Sequence, residues 1–282
     1  MRLTNRLGST LKSYFPQALE LAGRDLAAPM ACAFVEKWPT LEAAQKVKPH
    51  LLRKFYYGHN CRSQEKIEER CRLLSQAQAL TSDAAVIAAQ SLLAQSVGRE
   101  LAPLPAILKE YDKRIEELFK THADYDLWDS FPAAGSALGP RLAAAWGTQR
   151  ERFDTSQAMA SLSGIAPVKK ASGKLVYIHL RRACPKFLRQ TFHEFAGCSI
   201  GFCVWARCSY ESQREKNKEH HAAARALAFK WQRIMWRCWK DHTPYDDAKY
   251  VGSLKGGDSA LYARVMAAQA EKAGEKEGQV RE

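Results

Sequence analysis

A chain of 282 residues, 46% apolar and 26% charged, can bury a sizeable core and provides for two domains. No window holds eighteen consecutive apolar residues, and Met1-Arg2-Leu3 leads into the polar Thr4-Asn5-Arg6. This excludes an apolar membrane span and a secretory signal core, so a soluble intracellular protein is expected. The formal charge of +13 is not spread evenly: residues 164–240 hold sixteen Lys and Arg against four Glu and no Asp, so +12 lies in 77 residues. Such a bias is the footprint of a surface for a polyanion, most often nucleic acid. The alternative is a basic face kept for solubility. Trp205, Trp231, Trp236 and Trp239, interleaved with the cations, argue against it.

In chain order, almost every segment reads as helix. Leu3, Leu7 and Leu11 mark a first helix, and short helices follow, broken at Pro39 and Pro49. Ile67, Cys71 and Leu74 lie on one amphipathic face, Thr81-Ser82-Asp83 supplies a turn and cap, and a longer arm follows. In that arm Leu101, Leu104, Leu108, Tyr111, Ile115 and Leu118 step alternately by three and four, a coiled-coil seam that Pro103 and Pro105 should kink. An intramolecular hairpin and an intermolecular coiled coil fit the seam equally.

From Leu127 the run LWDSFPAAGSALGPRLAAAWG resembles a helix-hairpin-helix element, whose tight glycine turn aims backbone N–H groups at a phosphate. Ala133 stands where the first turn glycine is expected and Pro140 falls early in the second helix, so a plain structural turn fits as well. Asp124, Asp126 and Asp129 read as a polar loop rather than a metal site. Leu188, Phe192, Phe195, Ser199, Phe202 and Ala206 share one helical face, and Leu227, Trp231, Ile234 and Cys238 another. The tail after Leu254, rich in Gly, Lys and Glu, is expected to be partly helical and otherwise disordered. The eight cysteines show no C-x-x-C pair, and Cys198, Cys203 and Cys208 recur every five residues, about 140° apart on a helix. They read as reduced packing thiols, with no metal site.

The densest chemical signal is GIAPVKKASGKLVYIHLRRACPKFLRQ, Gly164 to Gln190. Here Ser172 and Gly173 sit among Lys169, Lys170, Lys174, Arg181 and Arg182, ahead of a helix carrying Lys186 and Arg189. Small residues admit a backbone, cations offset phosphate charge, and a hydroxyl is available to attack phosphorus. Ser172 equally suits a turn beside glycine. His179, His193, His220 and His221 are candidate proton carriers that spacing does not separate.

Taken together, the run FPAAGSALGPRLAAAWG, then Gly164-Ile165-Ala166-Pro167 with Ser172-Gly173, then Arg181-Arg182 with Leu188-Arg189-Gln190, resembles the IS110 family of insertion-sequence transposases. The helix AAARALAFKWQRIMWRCWKDHTPYD, ending at Tyr245-Asp246, is similar to that family's closing helix. The family consists of DEDD transposases that use a bridge RNA to choose their DNA partners. Its RuvC-like domain with four acidic residues precedes a coiled-coil region and a C-terminal transposase domain. The likeness runs from about Arg2 to Leu254, so the chain is expected to be a C-terminal portion without the RuvC-like domain.

The resemblance implies that Ser172 is the nucleophile. Lys169, Lys170, Gly173, Lys174, Arg181, Arg182, Lys186 and Arg189 would meet nucleic acid, and Mg2+ would be needed only by the intact enzyme. DNA, a guide RNA, a second copy or a full-length transposase would be the partners, in the bacterial cytoplasm at the nucleoid. The expected fold is mainly α. It has a helical segment over 1–60, a hairpin or coiled coil over 61–122, a basic helical transposase domain over 127–250 and a flexible tail over 255–282. Two functions remain open: a serine-bearing transposase portion inactive alone, and a non-catalytic DNA- or RNA-binding module.

Overall fold

The computed structural model describes residues 2–173 and 175–279. It is mainly helical, as the sequence predicts, and divides into two compact units, Met1–Asp112 and Lys113–Glu282.

The first unit is all helix: α1 (Arg2–Tyr14), α2 (Ala18–Leu21), α3 (Pro29–Lys37), α4 (Leu41–Gln45), α5 (Pro49–Gly58), α6 (Gln64–Gln76), α7 (Ala84–Leu101) and the start of α8 (Leu104–Lys120). Local chemistry sets the boundaries. Prolines open α3 and α5, where the missing N–H costs nothing. Thr40, Ser63 and Asp83 cap α4, α6 and α7 by accepting from backbone N–H groups. Leu7, Leu11, Phe15, Phe34, Val97 and Leu101 fill the core. The expected 61–122 hairpin separates instead: α6 packs on α2, α4 and α5, whereas α7 packs on α1 and α3. Arg53 fastens α5 to α6 through a forked bond to Glu68, at 2.7 and 2.9 Å.

The seam divides too. Leu101 is core and Leu104 packs against it, but beyond the break at Ala102-Pro103 the rest faces outward, with Leu108 61% and Tyr111 63% exposed. The proline break falls where the sequence places it, and the boundary between the units lies inside α8.

The second unit continues with α9 (Tyr125–Asp129), α10 (Gly135–Trp146), α11 (Ser156–Leu162), an antiparallel hairpin of β1 (Val168–Ser172) and β2 (Leu175–His179), then α12 (Lys186–Phe202), α13 (Val204–Glu215), α14 (His220–Asp241), α15 (Asp247–Gly257) and α16 (Ser259–Gln279). Helix α14 is central and packs on α11, α12 and α13. The tryptophans that interleave with cations in the sequence are core: Trp205, Trp231 and Trp239 are fully buried and Trp236 half-buried. Their N–H groups are matched inside the unit, Trp205 to Tyr245 Oη at 2.7 Å, Trp231 to Ser199 Oγ at 2.8 Å, Trp236 to the Phe153 carbonyl at 3.0 Å and Trp239 to the Gly147 carbonyl at 2.6 Å. The three buried indoles are therefore closed to base stacking.

Two further expectations are revised. Leu188, Phe192, Phe195 and Ser199 are buried on α12, but the chain turns at Cys203, so Phe202 stands 74% exposed and Ala206 belongs to α13. The stretch expected to be a flexible tail begins as the end of α15 and continues as α16. There Leu261 and Val265 enter the core and Arg264 forks onto Glu215 at 2.6 and 2.7 Å. All eight cysteines are free, and burial pushes the Cys203 thiol up to about 12 and Cys238 to about 11, which leaves both unreactive at neutral pH.

Candidate nucleic-acid interface

The site grows from a fixed base. At the end of α11, Gln232 Nε2 donates to Ser163 Oγ at 2.8 Å, wholly buried, and Ala166 N–H reaches back to the Ala160 carbonyl at 2.9 Å. Between them Gly164 takes φ +71°, and a Cβ there would stand 2.6 Å from Cys184 Sγ and 3.1 Å from Arg189 Nη2. Any side chain there would be strained in φ and would displace the Cys184 thiol, so the Gly-Ile-Ala-Pro run lies tight against Cys184 and Arg189. From the opposite side Arg189 turns inward: its Nη2 donates to the Arg181 carbonyl and, at 3.1 Å, to the Arg182 carbonyl. Both feet of the hairpin are thereby held together.

The hairpin itself was not read from the sequence as strand. Its signal is present: β-prone Val176, Tyr177 and Ile178 follow a Ser-Gly-Lys turn. In register, Ser172 faces Leu175 and Val168 faces His179, and Gly173 follows β1 at the tip. Gly173 sits at φ +57° with open space where a Cβ would be, so it serves backbone conformation and not close approach.

The predicted residues distribute as follows. Ser172 and Gly173 are exposed at the tip, and no described side chain hydrogen-bonds the serine hydroxyl. Lys169 and Lys170 lie on β1, paired with Ile178 and Tyr177; their side chains, and Lys174 altogether, lie outside the described residues. Arg182 and Lys186 are exposed and Arg181 half-buried near the feet, whereas Arg189 is engaged in holding the backbone. His179 pairs with Val168, four residues from Ser172, so along an extended strand it stands about 13 Å away, beyond hydrogen-bond reach. Tyr177 and His179, alternate residues of β2, stack with centroids 6.2 Å apart and form an exposed aromatic face that sequence reasoning did not single out.

Beside the feet, Lys186, Arg189, His193, His221 and Arg225 of α12 and α14 line a cavity of about 360 Å³. Glu194 at its edge accepts from Gln190 at 2.6 Å and pairs with Arg141, and these two contacts hold its carboxyl below the usual range. Burial pushes the His193 imidazole below its ordinary value, so it is neutral at pH 7; its ring lies 5.4 Å from that of His221. A neutral imidazole among cations can accept a proton or be charged by an arriving phosphate.

The helix-hairpin-helix-like turn has its backbone in the left-handed region at Ala133, φ +67°, and Gly135, φ +48°. Alanine therefore does a glycine's part. The acids nearby do not fit a divalent cation: Asp124, 2% exposed, pairs through Oδ1 with Arg150 and with His242 Nδ1 at 3.1 Å, so a positive charge already stands at the site. Among the described residues no group of three or more His, Cys, Asp or Glu could hold a metal, and no helix is long and apolar enough to cross a membrane.

Residues 125–211, which include the hairpin and all of α12, match the Transposase IS116/IS110/IS902 family. The chain is 26% identical over 257 residues to the "Mini-circle putative transposase for IS117" of Streptomyces coelicolor, covering 90% of this chain and 62% of that protein. It is 29% identical over 175 residues to the uncharacterized 42 kDa protein of insertion element IS900 of Mycobacterium paratuberculosis, covering 61% and 44%. With the uncharacterized 44.8 kDa protein of IS116 of Streptomyces clavuligerus it shares 26% over 156 residues, covering 55% and 39%. The chain thus spans between about two fifths and three fifths of the length of these relatives.

Proposed function

We propose that a chain whose residues 125–211 match an insertion-element transposase family acts in DNA transposition, with Ser172 as the group that meets the scissile phosphodiester. The observation that carries the reading is the placement of Ser172: exposed at the tip of a hairpin whose feet are clamped and flanked by Arg181, Arg182 and Lys186. Attack of the serine oxygen on phosphorus would form a phosphoserine ester and release a deoxyribose oxygen, the proton leaving to a base. His179 is too distant along its strand to be that base, and among the described residues no group of three or more His, Cys, Asp or Glu could hold Mg2+, so no step is assigned to either. Of the described cations, Arg181, Arg182 and Lys186 lie at the feet, farther along the chain from the tip than His179, so they would hold phosphates flanking the one that Ser172 meets. DNA is the polyanion, the bacterial cytoplasm the setting. The outward seam of α8 serves pairing with a second copy or a longer transposase.

The test is detection of a protein–DNA adduct on denaturing gels, with the chain alone and with the remaining length of the IS117 relative supplied in trans. An adduct lost in Ser172→Ala is expected. Adduct persisting in that variant would move the nucleophile elsewhere, and none in either arm despite intact duplex binding would favour the non-catalytic DNA-binding module.

A further inference from the structure

The first unit has a cavity of about 750 Å³ of its own, between the end of α3, the length of α5 and the segment joining α4 to α5. Its wall carries Lys37, Lys46, Lys48, Lys54, His50 and His59 and no carboxylate. Of the four lysines only Lys46 has an acidic partner among the described residues, Glu42 at 2.6 Å. Lys37, Lys48 and Lys54 are exposed and without one. A solvated face seldom gathers this much unneutralised charge around a hollow, because like charges repel and carboxylates normally intersperse.

The floor is aromatic. Phe55 lies against Trp38 at 4.8 Å between centroids and against His59 at 4.6 Å, and Lys37 Nζ sits 4.9 Å from the Trp38 ring. Trp38 is buried and braces the floor; Phe55 and His59 are half-buried and present ring surface to the cavity. Flat π surface below and cations at the rim match a ligand that is itself a flat ring attached to a phosphate. The volume falls within the about 300–1,000 Å³ usual for a site that encloses a small ligand.

We propose that this cavity binds one unpaired nucleotide of a single-stranded nucleic acid, the base against Phe55 and His59 and the flanking phosphates on Lys48 and Lys54. A duplex cannot offer a base to the aromatic floor, since its bases are stacked on each other. An acidic peptide would satisfy the lysines but leave the aromatic floor without a partner. The site lies outside the residues that match the transposase family and does not depend on the role of Ser172.

The test uses the full chain and 12-nucleotide probes carrying one photoreactive 4-thio base, oligouridylate in one arm and oligothymidylate in the other, with cross-links mapped by mass spectrometry. Cross-links between residues 37 and 59 in either arm are expected, and RNA alone would identify a site that needs the 2′-hydroxyl. Lys48→Glu with Lys54→Glu should flatten the slope of log K against log salt by about 1.4, two single-strand phosphates' worth. His59→Ala should weaken binding about tenfold. Cross-links confined to Lys113–Glu282, or both variants binding as wild type with unchanged circular dichroism, would overturn the proposal. Displacement by polyglutamate or duplex as effective as by the single strand would overturn it too. Failure of Ser172 chemistry would leave these cross-links in place, so the two readings fail separately.

Discussion

Single residues in this protein are fixed by what their backbone must do. Ala133 holds a left-handed conformation that costs an L side chain about 1–2 kcal/mol. Ala133→Gly should therefore stabilise the fold by about 1 kcal/mol in urea titration, glycine's extra freedom in the unfolded chain offsetting part of the gain. Gly139 is the reverse case: a Cβ would stand 2.7 Å from the buried Phe119 ring, so Gly139→Ala should lower the midpoint of the same titration. His193 makes stability depend on pH. Burial lowers its pKa, so on acidification from neutrality the unfolded chain takes up the proton first. Its contribution is present above the ordinary imidazole value of 6.5 and is lost as pH falls from there towards the folded value. Wild type should lose stability between pH 7 and 5, and His193→Gln should lose less; parallel curves would show that His193 is not the group responsible.

At the scale of elements, helices were legible and the one hairpin was not. Caps such as Asp83 and opening prolines such as Pro49 act through neighbouring backbone atoms, so they can be read locally. The strands hold only five residues each, and lysines and a serine–glycine turn made the same letters readable as a basic loop. Indoles among cations were read as a binding surface, but residues adjacent in sequence face opposite sides of α14: Trp239 is buried and Lys240 exposed. Ser172, the nucleophile that the resemblance implies, is exposed at the hairpin tip, whereas the inward use of Arg189 depends on a turn between residues 182 and 189 that no spacing announces. The α8 seam fits two fates in the sequence, and exposure of Leu108, Tyr111 and Leu118 favours a partner outside the chain. Leu108→Asp with Ile115→Asp should shift sedimentation from dimer to monomer at tens of micromolar while helicity stays unchanged; a wild-type monomer there removes the idea.

For the molecule as a whole, charge was the most transparent quantity because it sums without geometry. Geometry then divides the cations. Arg237 pairs with Asp241, Lys230 with Asp258, and Lys240 donates to the Arg150 carbonyl, so these are partly spent on the fold. Arg182 and Lys186 are exposed and have no acidic partner among the described residues. If about five duplex phosphates are met, log K should fall with log salt at a slope of about −4.5, and Arg182→Ala with Lys186→Ala should reduce its size by about 1.8. A slope near zero in wild type would mean that the basic segment does not face DNA.

The join at Gly164, Cys184 and Arg189 has an evolutionary consequence. A methyl group at 164 would stand 2.6 Å from the Cys184 sulfur and 3.1 Å from the Arg189 guanidinium at a left-handed φ, so a change there requires the thiol to shift and the guanidinium to give by a few tenths of an ångström. Across descendants of this chain the three positions should vary together or not at all. The tip around Ser172, where nothing crowds Gly173, is free of that packing constraint, so invariance found at the serine itself would come from the turn or from chemistry and not from packing.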